Sequence, residues 1–333
     1  CILMHFFEKN GVCIKSDAEL FIDSFGLKNS NVLVSHAHSD HCRLTGSNTY
    51  FMTEKTRVLA NPKSNVNIIE KSFGEKFEVN GFEVSMHPSG HIVGSSQFQI
   101  ANGSSAVVTS DFKLQESLLL KPANILQGDI LVMETTFGTK DFSFPVREQV
   151  YADLAKFVNE RISKNFFVVL GGYSTGKAQE LTKFCNEYLG VAPLVHKSVF
   201  EKNKLVEKTG LSLGNYILLD HNLRESNVLI MPPHLLNREL VEVLSLQLGK
   251  HVECAVATGW KKFGQFKSFP LSDHADFNQL LEYVEGCNPK LVLTYHGFDE
   301  EFSKAVFKKF GIPSQPLRLA SQKTLSSYFE RVS

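Results

Sequence analysis

The stretch VLVSHAHSDH, residues 32–41, decides how the rest of the chain is interpreted. It begins with an apolar run, VLV, which is rich in β-branched residues and typical of a buried strand. It ends in four side chains that can bind a metal, namely His36, His38, Asp40 and His41. A strand that ends in such side chains presents them from a rigid sheet. Because imidazole and carboxylate suit zinc and no cysteine takes part, the stretch predicts a catalytic metal site rather than a closed structural one.

Three later positions repeat this arrangement of an apolar run followed by a side chain that can bind metal. They are His91 after FEVSM, Asp111 at the end of AVVTSD, and His296 in LVLTYHG. A neutral imidazole binds one ion, whereas a carboxylate can bridge two ions and keep them close. The chain therefore supplies enough ligands for two ions that share Asp111. The predicted metal ligands are His36, His38, Asp40, His41, His91, Asp111 and His296.

Length and composition are those of a globular protein with about two domains, or one large domain with an insertion. The chain has 333 residues, of which 43% are hydrophobic and 21% are charged. Lysine and arginine together number 35, as do aspartate and glutamate, so the formal net charge is zero. Any nucleic-acid binding must therefore depend on a local basic patch rather than on the overall charge.

The six cysteines are scattered and form no Cys-x-x-Cys pair, which favours a reducing compartment without a disulfide framework. The opening residues, CILMHFFEKNG, become charged too early for a signal peptide. No apolar run reaches the roughly 18 residues that a membrane helix requires. We therefore expect a cytoplasmic protein that does not bind a membrane.

Residue patterns divide the chain into a β-rich first part, an α/β middle and a motif-rich last part. Asn-Gly pairs at residues 10–11, 80–81 and 102–103 lie between short apolar or alternating runs, which predicts hairpins. From Phe144 onward, apolar residues recur at helical spacing, and strands then alternate with helices to about residue 257. This alternation predicts a parallel sheet in the middle part.

The H-x-H-x-D-H motif at residues 36–41 resembles the defining motif of the metallo-β-lactamase superfamily. Asp23 in LFIDSFG is similar to the first motif of that superfamily, His91 to its third and Asp111 to its fourth. By this resemblance, Asp23 would hydrogen-bond a ligand histidine and fix its orientation. One zinc ion would be held by His36, His38, His91 and Asp111, and the other by Asp40, His41, Asp111 and His296.

Three further residues resemble the β-CASP branch of that superfamily, whose members process nucleic acids. Glu134 in LVMETTFG is similar to motif A of the branch, His274 in FPLSDHADF to motif B, and His296 in LTYHGF to motif C. The resemblance implies an α/β fold, a metallo-β-lactamase αββα sandwich that carries an inserted α/β β-CASP domain. The expected divisions are residues 1–143 and 258–333 for the metallo-β-lactamase domain and residues 144–257 for the insert.

The same resemblance implies a two-metal hydrolysis in which Asp40, Glu134 and His274 take part. Two cations about 3.5–4 Å apart lower the pKa of a bridging water and stabilise charge on a phosphoryl oxygen. The leaving oxygen needs a proton, and His274, polarised by Glu134, is the natural general acid. A neighbouring carboxylate keeps such a proton available near neutral pH.

Two stretches are candidates for contacts with a substrate strand. GGYSTGKA, residues 171–178, resembles a phosphate-binding loop but lacks its final hydroxyl residue, so nucleotide hydrolysis is not expected. Ser174 and Lys177 could still meet a phosphate there. KKFGQFK, residues 261–267, interleaves Phe263 and Phe266 with lysines, and this pattern suits a single strand. Its candidate substrate contacts are Lys261 and Lys262.

The favoured function is a two-zinc phosphodiesterase that acts on nucleic acid, as an exonuclease, an endonuclease or both. A thioesterase similar to glyoxalase II would explain the opening motif but leaves the insert and His274 without a role. A third hypothesis is a degenerate, non-catalytic subunit of a processing complex, but the intact set of metal ligands argues against it. A redox di-iron protein of this fold would have glutamate where the chain has His38.

The choice between RNA and DNA depends on fewer residues. His296 at motif C resembles the RNA-processing members, such as RNase J and the cleavage-and-polyadenylation endonuclease. Short members linked to DNA ligases are also similar, around ATGW at residues 257–260 and around SDHAD. We expect single-stranded RNA as substrate, with a DNA exonuclease of the ligase-associated type as the alternative. A homo-oligomer or a place in a processing complex is compatible with either.

Overall fold

The computed structural model describes residues 4–220, 223–262 and 264–320, which fall into two compact units. Unit 1 is formed by Cys1–Leu114, Pro122–Ser143 and His274–Ser333. Unit 2 is formed by Gln115–Lys121 and Phe144–Asp273. Within the described residues, no helix is both long enough and apolar enough to cross a membrane.

The chain first builds a six-stranded sheet in unit 1, in which the strands follow one another in sequence order. The first three strands pair antiparallel and the remaining neighbours pair parallel. Helix α1, Glu54–Ala60, follows the fifth strand and is capped by the Thr53 side chain. The strands are β1 His5–Glu8, β2 Val12–Lys15, β3 Glu19–Ile22, β4 Asn31–Leu33, β5 Thr49–Met52 and β6 Asn67–Glu70.

The next five strands begin the second sheet of unit 1. They are β7 Lys76–Val79, β8 Phe82–Pro88, β9 Ser96–Ala101, β10 Ser105–Val108 and β11 Ile130–Glu134. The hairpin between β7 and β8 turns at Asn80 and Gly81, whose φ angles are 52° and 79°. Both residues of a tight hairpin turn need positive φ, which explains why Asn-Gly predicted this turn correctly.

Unit 2 contains a fully parallel sheet whose strand order is β14-β13-β15-β12-β16-β17. Its strands are β12 Phe167–Gly171, β13 Leu194–Val195, β14 Ile217–Leu218, β15 Val228–Met231, β16 Val252–Ala257 and β17 Lys267–Phe269. The connecting helices are α2 Arg147–Ser163, α3 Lys177–Tyr188, α4 Lys197–Glu207 and α5 Arg238–Leu248, with a 3₁₀ turn at Pro233–Leu235.

The boundary predicted at residue 257 falls at the end of β16. Strand β17 continues the same sheet beyond it, and unit 2 extends to Asp273. The predicted three-part division into domains stays a prediction.

The last part of the chain completes unit 1. Its elements are α6 Phe277–Cys287, β18 Leu291–Tyr295, α7 Asp299–Phe310, β19 Ser314–Pro316 and α8 Leu317–Ala320. Strand β18 pairs in parallel with β11, so the second sheet has the order β19-β18-β11-β10-β9-β8-β7. Three neighbouring parallel strands, β10, β11 and β18, therefore end at one edge of this sheet.

The two sheets of unit 1 share one apolar core. Leu20 and Leu33 of the first sheet pack in the same buried cluster as Phe98 and Val132 of the second. On the other face of the second sheet, a separate cluster joins strand residues such as Leu131 to residues of α6 and α7. The layered α/β fold predicted from the sequence is confirmed.

Candidate metal centre

The predicted metal ligands of unit 1 follow the ends of its strands. His36 comes three residues after the end of β4, and His91 three residues after the end of β8. Asp111 follows β10 and His296 follows β18 directly. Because β10, β11 and β18 are parallel neighbours, the residues that follow them meet at one edge of the sheet.

The first cluster contains His36, His38, His91 and Asp111, whose donor atoms all lie within 4.8 Å of one another. Asp111 Oδ2 lies 3.5 Å from His36 Nε2 and 3.6 Å from His91 Nε2. His38 Nδ1 lies 3.1 Å from both of these nitrogens. Separations of this size suit donors around one tetrahedral zinc, whose bonds are about 2.0–2.2 Å long. The donor set therefore fits a zinc ion.

The second cluster contains His41, His296 and the same Asp111. His41 Nε2 lies 3.4 Å from Asp111 Oδ2, and His296 Nδ1 lies 4.0 Å from Asp111 Oδ1. Asp40 belongs to none of the ligand groups found among the described residues. Its side chain is 75% exposed, and its Oδ2 lies 3.8 Å from His41 Nε2. The structure thus brings six of the seven predicted ligands into clusters and leaves Asp40 at their margin.

Asp111 is the residue that the two clusters share. The residue is 5% exposed, and its Oδ1 atom is buried without a hydrogen-bond partner among the described residues. A buried carboxylate oxygen without a partner costs free energy, because it has lost its hydration. A bound cation would supply the missing interaction, which is a second observation that fits a metal at this place.

A hydrogen-bonded chain of side chains orients the ligand histidines from behind. Asp23 Oδ1 accepts from the Ser35 backbone N–H at 2.7 Å, and its Oδ2 accepts from Ser35 Oγ at 2.5 Å and from His41 Nδ1 at 2.9 Å. Since the Ser35 hydroxyl hydrogen points to Asp23, Ser35 Oγ accepts from His36 Nδ1, at 2.8 Å. Both histidines thereby direct their Nε2 atoms toward Asp111. Sequence reasoning found Asp23 but missed Ser35, although it directly precedes the histidine motif.

The surroundings of His36 and His41 shift the pKa values of these two histidines in opposite directions. Complete burial, together with the neighbouring histidines, lowers the pKa of His36 well below its usual value, so its Nε2 lone pair is available for a cation. Burial also lowers the pKa of His41, but the charges of Asp111 and Asp23 outweigh it and raise that pKa to about 10. A cation bound at His41 would therefore displace a proton, as metal binding to histidine generally does.

The backbone at the site adopts uncommon conformations. Asp23, Ser110 and His296 have φ angles of 52°, 47° and 60°, in the left-handed region that non-glycine residues seldom occupy. Gly297 follows with a φ of 58°, and a Cβ there would lie 2.5 Å from the Thr135 carbonyl oxygen. Strained residues of this kind cluster at functional sites, where the surrounding structure holds them in place.

Glu134 and His274 form a pair beside the first cluster. His274 Nδ1 donates to Glu134 Oε1 at 3.0 Å, and the His274 ring centroid lies 4.6 Å from that of His91. Burial raises the pKa of Glu134, but His274 and the hydrogen bonds from Thr136 outweigh this effect and lower it. Glu134 is therefore a buried carboxylate that holds His274 by one ring nitrogen.

Lys177, one of the predicted substrate contacts, is 2% exposed. Its Nζ donates to Glu180 at 2.7 Å and to Asp273 at 2.8 Å within unit 2. These contacts favour a structural role for Lys177 in unit 2, and its contact with a phosphate stays a prediction. Ser174 is partly buried, and its carbonyl oxygen accepts from Gln179 at 2.9 Å.

The KKFGQFK stretch is expected from its sequence to expose lysines together with aromatic rings. Lys261 and Lys262 are exposed, in the loop after β16. Phe266 is partly buried and packs against an apolar cluster of unit 2. Phe263 lies outside the described residues.

We expect Ser35→Ala to weaken zinc binding about 10- to 100-fold, because outer-shell partners of ligand histidines typically contribute that much. The substitution leaves His36 Nδ1 without its acceptor and removes one donor from Asp23. Competition for zinc against a coloured chelator would measure the change. Ser39→Ala, at an exposed position in the same loop, is the matched control and should leave the affinity unchanged. Equal affinities in both variants would contradict the orienting role of Ser35.

We expect Glu180→Ala to destabilise unit 2 by about 3–5 kcal/mol, the usual cost of removing one partner from a buried charge network. Glu180 is 2% exposed and accepts from Arg147 Nε at 2.8 Å and Arg147 Nη2 at 2.7 Å, as well as from Lys177. Urea unfolding followed by circular dichroism would measure the loss. Glu242→Ala, at an exposed position on α5, should change the free energy of unfolding by less than about 0.5 kcal/mol. A loss of similar size in the two variants would count against this interpretation.

Two sequence comparisons place these observations among known proteins. Residues 264–314, which include His274 and His296, match the family described as RMMBL, Zn-dependent metallo-hydrolase RNA specificity domain. A protein of Opitutus terrae named probable DNA ligase is 34% identical over 286 residues, which cover 82% of this chain and 27% of that protein. The protein named RNase aCSPSF2 of Saccharolobus solfataricus is 28% identical over 161 residues, which cover 47% of this chain and 31% of that protein.

A crystal structure of a protein of unknown function from Enterococcus faecalis V583 shares the fold. Its TM-score is 0.66 at 13% identity, over 95% of this chain and 97% of that one. The chain spans less than a third of the length of the two named relatives, 27% and 31% respectively. The family match, the names of the relatives and the ordered histidine and aspartate motifs together support the metallo-β-lactamase β-CASP nuclease family, with its sandwich fold and its β-CASP insertion.

Proposed function

We propose that the chain is a zinc-dependent nuclease that hydrolyses phosphodiester bonds in nucleic acid. The observation that carries this proposal is the Glu134–His274 pair beside the histidine and aspartate clusters, because it supplies a proton donor next to a metal-binding site. A metal-dependent thioesterase has less need of such a donor, since a thiolate leaves without protonation more readily than an alkoxide does. The pair therefore favours a phosphodiester substrate.

The proposed ligand sets follow the two clusters. Asp40 would join the second set, because its Oδ2 is 3.8 Å from His41 Nε2 and its exposed side chain has room to turn inward. When bound, two zinc ions would supply a water of lowered pKa and positive charge at the phosphoryl oxygen. The first set is His36, His38, His91 and Asp111, and the second is Asp40, His41, Asp111 and His296.

His274 acts as the general acid in this proposal. Glu134 Oε1 accepts the Nδ1 hydrogen, and Nε2 would carry the proton for the oxygen that departs when the P–O bond breaks. Glu134 is completely buried, so its negative charge is poorly screened and favours the protonated ring. His274 itself remains 24% exposed and can meet a substrate atom.

Single-stranded RNA is the substrate that we favour. The support is the match of residues 264–314 to a family described by RNA specificity, and this segment carries both His274 and His296. DNA is the second candidate, because the relative with 34% identity is named as a probable DNA ligase. Both candidates require the same hydrolysis, so they differ in recognition rather than in chemistry.

A substrate panel tests the proposal. The zinc-loaded protein would be offered single-stranded and duplex RNA and DNA, labelled at either end, together with a glutathione thioester. We expect cleavage of single-stranded RNA, and the label that is released first would distinguish an exonuclease from an endonuclease. Faster cleavage of single-stranded DNA would establish the second candidate, whereas hydrolysis of the thioester alone would overturn the nuclease proposal.

A further inference from the structure

The parallel sheet of unit 2 gathers several loops at one edge. All of its strand pairs are parallel, so the loops that follow its strands lie at the carboxyl edge of the sheet. Ligands of open α/β sheets generally bind at this edge. The loops after β12 and β16 are neighbours there, because Gly171 pairs with Val256 near the ends of these two strands.

Each of these two loops exposes a large aromatic side chain. Tyr173, two residues after β12, is 55% exposed, and Trp260, three residues after β16, is 42% exposed. Among the described residues, the other exposed phenylalanine, tyrosine or tryptophan side chains are Phe73 and Phe307, both in unit 1. An exposed aromatic pair at a ligand-binding edge marks an interaction surface more strongly than scattered apolar residues do.

Hydrogen bonds fix the backbone of both loops. The Gly172 N–H donates to the Met231 carbonyl oxygen at 3.0 Å, and the Tyr173 carbonyl oxygen accepts from Ala178 at 2.9 Å. The Trp260 N–H donates to Thr258 Oγ1 at 3.2 Å, and the Thr258 N–H donates to a carbonyl oxygen of β17 at 2.9 Å. The two rings are therefore carried on ordered backbone, which reduces the entropy lost when a ligand binds.

The exposed charge at this edge is mostly positive. Lys261 and Lys262 directly follow Trp260, and Lys197 begins α4 after β13, and all three are exposed. The exposed acidic residues in the described loops that directly follow the strands are Asp220 and Glu225, both in the loop after the outermost strand β14, which also exposes Arg224. The deeper cations at this edge face carboxylates, since Lys177 contacts Glu180 and Asp273. The surface therefore presents aromatic faces and lysines together although the whole chain has no net charge.

We propose that Tyr173 and Trp260 form a stacking surface for the bases of single-stranded nucleic acid, whose phosphates are met by Lys261 and Lys262. This inference rests on the proposed nuclease function and deepens it by naming residues that bind the strand. Bases stack on aromatic rings with little regard to sequence, and neighbouring lysines hold the backbone. A duplex hides the faces of its bases, so the surface selects unpaired strands.

The single tryptophan of the chain makes this proposal directly measurable. Phosphorothioate-linked oligonucleotides, which resist cleavage, would be titrated into the zinc-loaded protein. A base that stacks on Trp260 should quench the tryptophan emission, and the quench should saturate together with binding measured by the anisotropy of a labelled strand. Single-stranded RNA and DNA are two arms of the titration, and a blunt duplex is the third and should bind more weakly.

Variants then test each ring. Tyr173→Ala and Trp260→Ala should each weaken binding by about fivefold or more, the loss expected when one stacked base is released. Tyr173→Phe and Trp260→Phe keep an aromatic face and should retain most of the affinity. Phe307→Ala removes a ring that is 61% exposed on α7 and should leave binding unchanged.

Affinities of both alanine variants within twofold of the wild type, or saturable binding without any change in tryptophan emission, would overturn the stacking surface. A failure of the proposed function is a separate result, because the wild-type protein would then cleave no oligonucleotide with ordinary phosphodiester linkages. The stacking proposal fails on affinity, whereas the nuclease proposal fails on cleavage.

Discussion

Asp111→Asn is expected to lower the zinc affinity of both clusters and to reduce phosphodiester cleavage by more than about a hundredfold. Loss of a residue that only supports a ligand costs up to about a hundredfold, and loss of a shared ligand should cost more. Asp111 contributes to both clusters, with Oδ2 within 3.4–3.6 Å of three histidine nitrogens and Oδ1 without a hydrogen-bond partner. Asparagine keeps the shape of the side chain but loses the negative charge that holds two cations together. Its NH₂ group would also point donor hydrogens at ligand nitrogens or at the metal.

The metal content of the purified Asp111→Asn protein, measured by mass spectrometry after dialysis, tests this prediction. Asp129→Asn is a matched control, since Asp129 belongs to the same unit but bonds to Ser105 and Lys290 instead of to the clusters. The control should keep the wild-type zinc content and activity. If Asp111→Asn also kept both, the shared carboxylate would not be a ligand.

His274→Ala is expected to lower the cleavage rate about 10²- to 10⁴-fold while the zinc content remains unchanged, because a positioned general acid contributes about that factor. His274 contacts Glu134 and lies outside the two ligand sets proposed for the metals. The loss of cleavage rate in His274→Ala should be much smaller for a nitrophenyl phosphodiester, because its leaving group needs no proton. This dependence on the leaving group separates proton donation from a structural role of the ring.

His87→Ala provides the matched histidine control for that experiment. His87 lies on β8, and its Nε2 contacts Ser85 Oγ at 2.9 Å rather than any of the proposed ligands. Cleavage of RNA by the control should equal that of the wild type. An equal loss with both kinds of leaving group in His274→Ala would remove the residue from the role of general acid.

The sequence predicts the positions of those site residues that lie at the ends of strands. Residues at or just beyond the ends of parallel, neighbouring strands lie at one edge of the sheet, so Asp111, Glu134 and His296 come together once β10, β11 and β18 are recognised. Asp40 shows the limit of that argument. It lies in the loop after β4, and the spacing within a loop does not determine whether a side chain turns toward the cluster or toward solvent.

The substrate contacts were harder to predict because burial depends on residues that are distant in sequence. Lys177 resembles a phosphate-binding lysine, but its partner Asp273 comes 96 residues later and closes a buried network around it. Phe266 is partly buried against the core of unit 2, whereas Trp260, six residues earlier, is exposed. Spacing between aromatic and basic residues indicates a binding stretch, but only the packed structure shows which rings face solvent.

The most direct test of the central claim is the zinc dependence of RNA cleavage in the folded protein. Zinc would be removed with a chelator, folding would be checked by circular dichroism, and cleavage of end-labelled single-stranded RNA would be followed as zinc is added back. We predict no cleavage by the metal-free protein and full recovery at about two zinc ions per chain, as two-metal sites require. Undiminished cleavage by the folded, metal-free protein would contradict the account.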